Sequence, residues 1–372
     1  MAEKADKKTK NKVRRIDLAT SGQLMWWGFK KHRLAMVGTI IIVLYIIISI
    51  FAEFIATTGP QVCNTHYTAG APTSIHLIDK NGNLHFPFVF EEVGKRDPIT
   101  YKLFYEVNTA VQWPVKLFIR GEPYKLFGLF QCNIHLFGTE KGFIHLFGTD
   151  IIGRDIFSRV IYATRISLSV GIIGVLVAFI IGLIMGGIAG YSGGIVDDVI
   201  MRLIEFIRSI PSIPLWLGLS AALPREWSAL KVYVAITLIL AGIGWTSLAR
   251  RVRGKLLSLR NVEFVLAARL AGCSNARIVV RHMLPSFLSY LIVDLTIAFP
   301  NIILAETTLS FLGLGLREPI VSWGVMLYSA QNVRSIAHMP WLLIPGLFVV
   351  IIVIAFNFMG DGLRDAADPF TK

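Results

Sequence analysis

Few residues in this sequence combine the type and the spacing that chemistry needs. Asp294 and Glu306 lie in an apolar run, where an ionisable group either lines a water-filled path or pairs with a neighbour inside a bundle. Asp294 is a candidate for both, and Glu306 is expected to be structural. Asp197 and Asp198 could share a cation, yet beside the turn at 190–194 the expectation is a helix cap. His135 and His145 occupy matching places in two copies of one string, Ile-His-Leu-Phe-Gly-Thr, and read as strand histidines, not as a metal pair. No pair of the three cysteines has metal-ligand spacing. The sequence holds no G-x-x-x-x-G-K-[ST] phosphate loop, no H-E-x-x-H and no G-x-S-x-G. The expectation is a chain that is no enzyme, takes no metal or cofactor, and hydrolyses no ATP itself.

The more informative pattern is mechanical. Residues 263–285 read EFVLAARLAGCSNARIVVRHMLP. Ala267 and Ala268 let another surface approach the backbone closely, Gly272 ends or bends a helix, and Leu284-Pro285 opens the next one. The surrounding segment carries Arg250, Arg251, Arg253, Lys255, Arg260, Arg269, Arg277 and Arg281 against one acid, Glu263. Two short helices bent at Gly272 are expected, on the basic side of a membrane and shaped to be gripped by another protein.

Such a loop needs a frame. Hydrophobic residues make up 54% of the 372 and charged ones 16%, the balance of a membrane protein. The net charge of +13 is concentrated beside apolar runs, which is the positive-inside pattern and no footprint of nucleic acid. Trp26, Trp27 and Phe29 beside Lys30, Lys31 and Arg33 suit a lipid–water interface, so a short interfacial helix in contact with lipid is expected there. The first apolar run has no small-residue cleavage site and is long enough to stay as a span. Six spans are expected, at 34–52, 166–196, 199–223, 232–249, 284–311 and 339–360, with both termini in the cytosol. In the third, Arg202, Glu205 and Arg208 share a helix face, where Glu205 can pair with either arginine, and Pro211 and Pro214 interrupt it.

Residues 53–155 contain no spanning run. Alternating stretches at 84–90 and 115–120, with turn residues between, predict a small β-rich domain outside the cytosol. The repeated string, 134–140 and 144–150, reads as two strands joined by Lys141-Gly142-Phe143. Cys63 and Cys132 both fall here and are expected to form a disulfide, while Cys273 is expected to stay a free thiol.

Taken together, five separated motifs resemble those of ATP-binding-cassette importer permeases, in the oligopeptide, dipeptide and nickel class. Ala267-Ala268, Gly272 and Leu284-Pro285 match the cytosolic coupling loop of that family, with Leu266 standing where its eponymous Glu would be and His282 in a usually aliphatic slot. Phe147-Gly148-Thr149-Asp150, Gly153-Arg154-Asp155 and Ser158-Arg159 resemble the entry to its permease core. Glu306 to Gly315, Ser322-Trp323-Gly324 and the tail from Gly360 to Pro369 are similar as well. The resemblance implies a C-type permease subunit of type I fold: an all-α polytopic membrane protein with six transmembrane helices and a β-rich extracytoplasmic insert after the first. It divides the chain into a cytosolic tail and interfacial helix at 1–33, a first span at 34–54, the insert at 55–155, the permease core at 156–361 and a cytosolic tail at 362–372. It also implies a second permease subunit, two ATPase subunits, an extracytoplasmic solute-binding protein and a prokaryotic inner membrane. Oligopeptides or dipeptides are the expected cargo, with oligosaccharides or metal chelates as the alternative within the class and a secondary transporter outside it. Glu263, Ala267, Ala268, Gly272, His282, Leu284 and Pro285 would form the ATPase-coupling loop.

Overall fold

A segment without water must pair every backbone N–H and C=O within itself, so the charge-free runs fold as helices. The computed structural model of the chain describes residues 21–367 apart from 79–83, 97, 99–102 and 127. The basic stretch 1–20 and the end of the C-terminal tail lie outside the described residues. Helix α1 (Ser21–Lys31) leads into α2 (Arg33–Ile50), whose N-terminus is capped by His32 accepting from Ala35 N. In α1, Trp26 stacks on Phe29 and Lys30 Nζ lies 4.8 Å over the Trp26 ring. A short turn, α3 (Ala52–Ile55), ends the first helical section.

Four antiparallel strands follow: β1 (His76–Ile78), β2 (Leu84–Arg96), β3 (Leu103–Leu126) and β4 (Phe130–Thr139), paired in the order β1-β2-β3-β4. The long β3 pairs with β2 through its first half, as in Lys95 with Phe104, and with β4 through its second, as in Ile119 with His135. Only the first copy of the repeated string becomes a strand. The second is held as a loop, with Thr73 N donating to His145 O, Thr149 N to Gly70 O, and Gly148 at φ +74°.

The remaining helices are α4 (Ile156–Ser192), α5 (Gly194–Ser209), α6 (Ser212–Ala221), α7 (Ala229–Leu259), α8 (Glu263–Leu270), α9 (Asn275–Arg277), α10 (Leu284–Ser286), α11 (Leu288–Phe311), α12 (Trp323–Tyr328), α13 (Val333–His338) and α14 (Ile344–Ala367). Among the described residues, five helices are long and apolar enough to cross a membrane: α2, α4, α7, α11, and α14 with the 3-10 turn Pro340–Leu343 ahead of it. The expected third span is interrupted at Pro211, as its prolines imply, and divides into α5 and α6. The chain is extended at Ile210 and Pro211, because proline lacks the N–H and pushes its predecessor out of the helical region. The ten residues of α6 reach about 15 Å, half the hydrocarbon core. On α5, Arg208 Nη1 donates to Ser247 Oγ at 2.6 Å, and no ion pair to Glu205 forms among the described residues.

Glycines let α4 lie directly on α7. A Cβ on Gly186 would stand 2.5 Å from Ala249 O, one on Gly182 2.9 Å from Leu248 Cβ, and one on Gly190 2.8 Å from Arg253 O. The same device brings α2 to α14, where a Cβ on Gly38 would stand 2.5 Å from Ala355 O. Around these seams lies a core of Ile42, Tyr45, Val160, Ile236, Leu240, Ile303, Trp323 and Ile352.

Because a backbone carbonyl cannot move aside as a side-chain tip can, Gly186→Leu should cost the purified chain at least about 3 kcal/mol. Gly242→Leu on α7, where a Cβ meets nothing within 4 Å, should cost little. Thermal unfolding of both variants in detergent, read by size-exclusion fluorescence, checks the contrast.

Candidate functional site

The loop between α7 and α11 has a buried underside and a bare outer face. Val265 and Ala268 of α8, with Ile278, Met283 and Phe287, pack on Leu248, Val252 and Leu256 of α7 and on Leu291 of α11. Glycine then closes α8. Gly272 N donates to Arg269 O and Cys273 N to Ala268 O, the paired bonds of a Schellman cap, with Gly272 at φ +75°. A Cβ there would meet nothing within 4 Å, so the glycine is required by conformation, not by space.

The second helical piece departs from expectation. Leu284-Pro285 opens no new span; α9 runs into a π turn, Ile278–Met283, and α10 continues it until Phe287 breaks the backbone at φ −129°. Leu284 N donates to Val279 O, the wide i→i+5 spacing, just before a proline that has no N–H to give. Ala268 is buried, Leu284 and His282 are half-buried, and Glu263, Ala267 and Pro285 are exposed. Leu270 is 91% exposed and Val280 64%, among the exposed cations Arg269, Arg277 and Arg281. The arrangement presents apolar side chains and positive charge on one open face.

Two acids at this end are bound to the root of the loop. Asp294 on α11 takes Arg251 Nη2 at 2.6 Å on Oδ1 and 2.8 Å on Oδ2. Asp197, expected as a cap, is instead the fourth residue of α5 and is gripped by Arg253 Nε and Nη2, while Gly193 stands at the cap without a side-chain bond. A partner 56 residues away outcompetes the local bond, which short-range spacing cannot reveal.

At the opposite end, the string from Thr149 to Arg159 folds into a knot of bonds. Thr149 Oγ1 accepts from Gly70 N and donates to Tyr67 O, at 2.8 and 2.6 Å. Asp150 accepts from Ile152 N, Arg154 N and Arg154 Nε at 3.0, 2.9 and 2.6 Å. Asp155 caps α4 by accepting from Ser158 N at 2.7 Å and meets His145 Nδ1 at 3.1 Å. Arg154 Nη1 and Arg159 Nη2 then share one oxygen of Glu318, at 2.7 and 2.9 Å, fastening the entry of α4 to the loop after α11. Burial pushes the Glu318 carboxyl up, but the hydrogen bond from Arg154 and the charges of Arg154 and Arg159 outweigh it and hold the group below the usual carboxylate range. Sequence reasoning missed Glu318, whose one available signal was its closeness to the motif around Gly313 and Gly315.

Glu306 is fully buried, and its oxygens accept from Ser310 and Ser322 at 2.7 Å and Ser167 at 3.5 Å. The expected disulfide is absent. Cys63 Sγ points to Gln61 O, while Cys132 sits on β4 opposite Tyr124, and both are free thiols held on different elements. His135 places its ring nitrogens 2.6 Å from Ala56 O and 3.0 Å from Glu122 O, tying β4 to the end of the first helical section.

Comparison with known proteins places these features in a family. The profile for the binding-protein-dependent transport system inner membrane component matches residues 178–372. That for the N-terminal TM domain of oligopeptide transport permease C matches residues 20–72. A dipeptide transport system permease protein of Haemophilus influenzae is 32% identical over 351 residues, covering 94% of this chain and 95% of that one. One from Bacillus subtilis is 40% identical over 221 residues, 59% of this chain and 67% of its own length. An oligopeptide transport system permease protein of Escherichia coli is 43% identical over 222 residues, 59% and 71%.

A carboxylate whose folded pKa is depressed stabilises above its unfolded pKa, near 4.3, and loses that contribution as pH falls through the lower folded value. Glu318→Gln should therefore lower the melting temperature by about 2–4 °C, roughly 1 kcal/mol for a half-exposed group, at all pH values above about 5. The difference from wild type should close only in stronger acid, as paired melts across pH would reveal.

Proposed function

Since the chain belongs to the family of binding-protein-dependent transport system inner membrane components, we propose that it is a transmembrane permease subunit of an ATP-driven importer for oligopeptides or dipeptides. The observation that carries this reading is the loop at 260–287: rigidly seated below, bent at an αL glycine, and bare and basic above. A carrier that needs no engine has no use for such a fixture.

In the proposed assembly this chain pairs with a second permease subunit in a prokaryotic inner membrane. Two ATPase subunits dock on the basic end and a solute-binding protein docks on the end that bears the sheet. Ten Lys or Arg within residues 1–33 and eight within residues 250–283 support a cytosolic basic end, with both termini on that side. The broken pair α5 and α6 completes a sixth crossing. Glu263, Ala267, Ala268, Gly272, His282, Leu284 and Pro285 belong to the docking loop, which an ATPase groove grips around Leu270. When ATP draws the ATPase pair together, the loop follows, and the helices rooted on it switch the bundle between inward- and outward-facing states. Asp294 borders a cavity of about 240 Å³ with Tyr290, Ile297 and Arg364 beside that loop. Its bond to Arg251 supports an anchoring role over a place in the cargo path.

Mild-detergent purification of the tagged chain from its native cells should bring down two ATPase subunits, a sibling permease and a binding protein. Recovery of the chain alone, or only with copies of itself, would falsify the reading. A β-branched residue at φ +75° costs about 1–2 kcal/mol, so Gly272→Val should unseat the bend and reduce ATP-driven peptide uptake about tenfold while membrane insertion stays intact. Undiminished uptake would show that the bend carries no force.

A further inference from the structure

We propose that two ion pairs, Arg251–Asp294 and Arg253–Asp197, form a brace at the root of the docking loop that makes α5, α7 and α11 move as one body when the loop is pulled; the proposal rests on the permease reading above. Eight cations occupy residues 250–283, and among the described residues only Arg251 and Arg253 have acid partners. The pairing is therefore selective and not a by-product of charge density.

Helix geometry explains why these two serve. Residues two apart on a helix lie about 200° around its axis, so their side chains leave α7 on opposite sides. Arg251 reaches α11 and Arg253 reaches α5. Helix α7 is gripped from both flanks, which blocks rotation as well as sliding. Arg253 meets Asp197 with two nitrogens on two oxygens, a fork that fixes orientation as a single bond does not, while Arg251 holds both oxygens of Asp294 through Nη2 alone. The carboxylates are 15% and 9% exposed against 41% for Arg251 and 29% for Arg253, so the acids are withdrawn from solvent and the Arg253 pair is the less screened of the two.

The two pairs also sit where load would pass. Arg251–Asp294 joins the helix that enters the loop to the helix that leaves it, closing 43 residues of chain into a stem. Arg253 is the residue whose backbone rests on Gly190, so its pair with Asp197 continues the seam between α4 and α7. A third support comes from Tyr191 at the end of α4, whose hydroxyl donates to Asn275 Oδ1 at 3.0 Å and whose ring lies 5.9 Å from the Arg269 guanidinium. Without the brace, a pull on the loop would turn α7 against its neighbours, and the displacement would be lost before reaching the bundle. Asp197, Asp294, Arg251 and Arg253 are thus positioning residues, acting through the helices they join.

The test uses the complete complex in proteoliposomes, with Asp294→Asn, Asp197→Asn, and the exchanged pair Arg251→Asp with Asp294→Arg. Hydrogen exchange of the amides at 260–287 reads the mounting without any cargo. Protection there should fall at least about fivefold in each single variant and return to within about twofold of wild type in the exchanged pair. Trialanine moved per ATP hydrolysed should fall about tenfold in the single variants while hydrolysis continues, and recover in the exchange. Unchanged exchange in Asp294→Asn would overturn the brace, as would an exchanged pair no better than the single variants. Looser amides with an unaltered transport ratio would overturn its part in coupling. Wild-type complex that moves no peptide on ATP counts against the permease reading alone, and the exchange data still decide the brace.

Discussion

The close approach of α4 to α7 is the contact on which the rest of the structure depends. In lipid, one apolar helix gains nothing by covering another with hydrocarbon, so adhesion comes from backbones that touch. Gly182, Gly186 and Gly190 supply one such row, each meeting α7 at atoms that leave no room for a side chain. The row ends at Arg253, so it sets both the height and the rotation of the turn from which the proposed docking loop departs. A slip of one residue along the seam would swing Arg253 by about 100° and take it from Asp197. Packing and ion pairing are therefore two readings of one register.

Buried charge is handled differently at the two ends. Near the sheet, Asp150, Arg154, Arg159 and Glu318 neutralise one another through shared oxygens, and Asp155 takes the end of α4. Inside the bundle Glu306 has no cation beside it among the described residues, and hydroxyls of Ser167, Ser310 and Ser322 surround it instead. Pairs of this kind return little net stability, since desolvation consumes most of the attraction. What they fix is geometry. Glu318 can satisfy Arg154 and Arg159 only when the loop after α11 lies against the start of α4, and Ser322 can reach Glu306 only when α12 is folded back on α11. The acids act as register marks between segments that apolar packing alone would leave free to slide.

The legible parts of the sequence were those fixed by local rules. Apolar length identifies α2, α4, α7, α11 and α14, and the spacing from Ala268 to Gly272 anticipates the bend because a Schellman cap needs only neighbours. Pro211 belongs with these, since the interruption expected within 199–223 falls where one missing N–H imposes it. The twin strings of six identical residues are more instructive. One becomes β4 because β3 offers it an edge, and the other stays a loop because Thr73 and Gly70 take its backbone first. Asp294 and Asp197 could not be assigned from sequence either, as their arginines lie 43 and 56 residues away. Cys63 and Cys132 fail for the same reason, since a shared domain says nothing of a shared place.

The loop itself joins two unequal halves, and the difference suits a part that transmits force. Toward the bundle, Val265, Ala268, Ile278 and Met283 are locked into one cluster with α7 and α11. That cluster stabilises two features which alone would be soft, an αL residue at Gly272 and a π turn ahead of Pro285. Away from the bundle, Leu270 and Val280 stand exposed among arginines, on the face where the proposed ATPase subunit would dock. A flexible loop could bind a partner as well but would absorb its motion in its own bending. Here the bends are already made and held from beneath, so in the proposed assembly a displacement at Leu270 would pass into the helices to which the loop is tied.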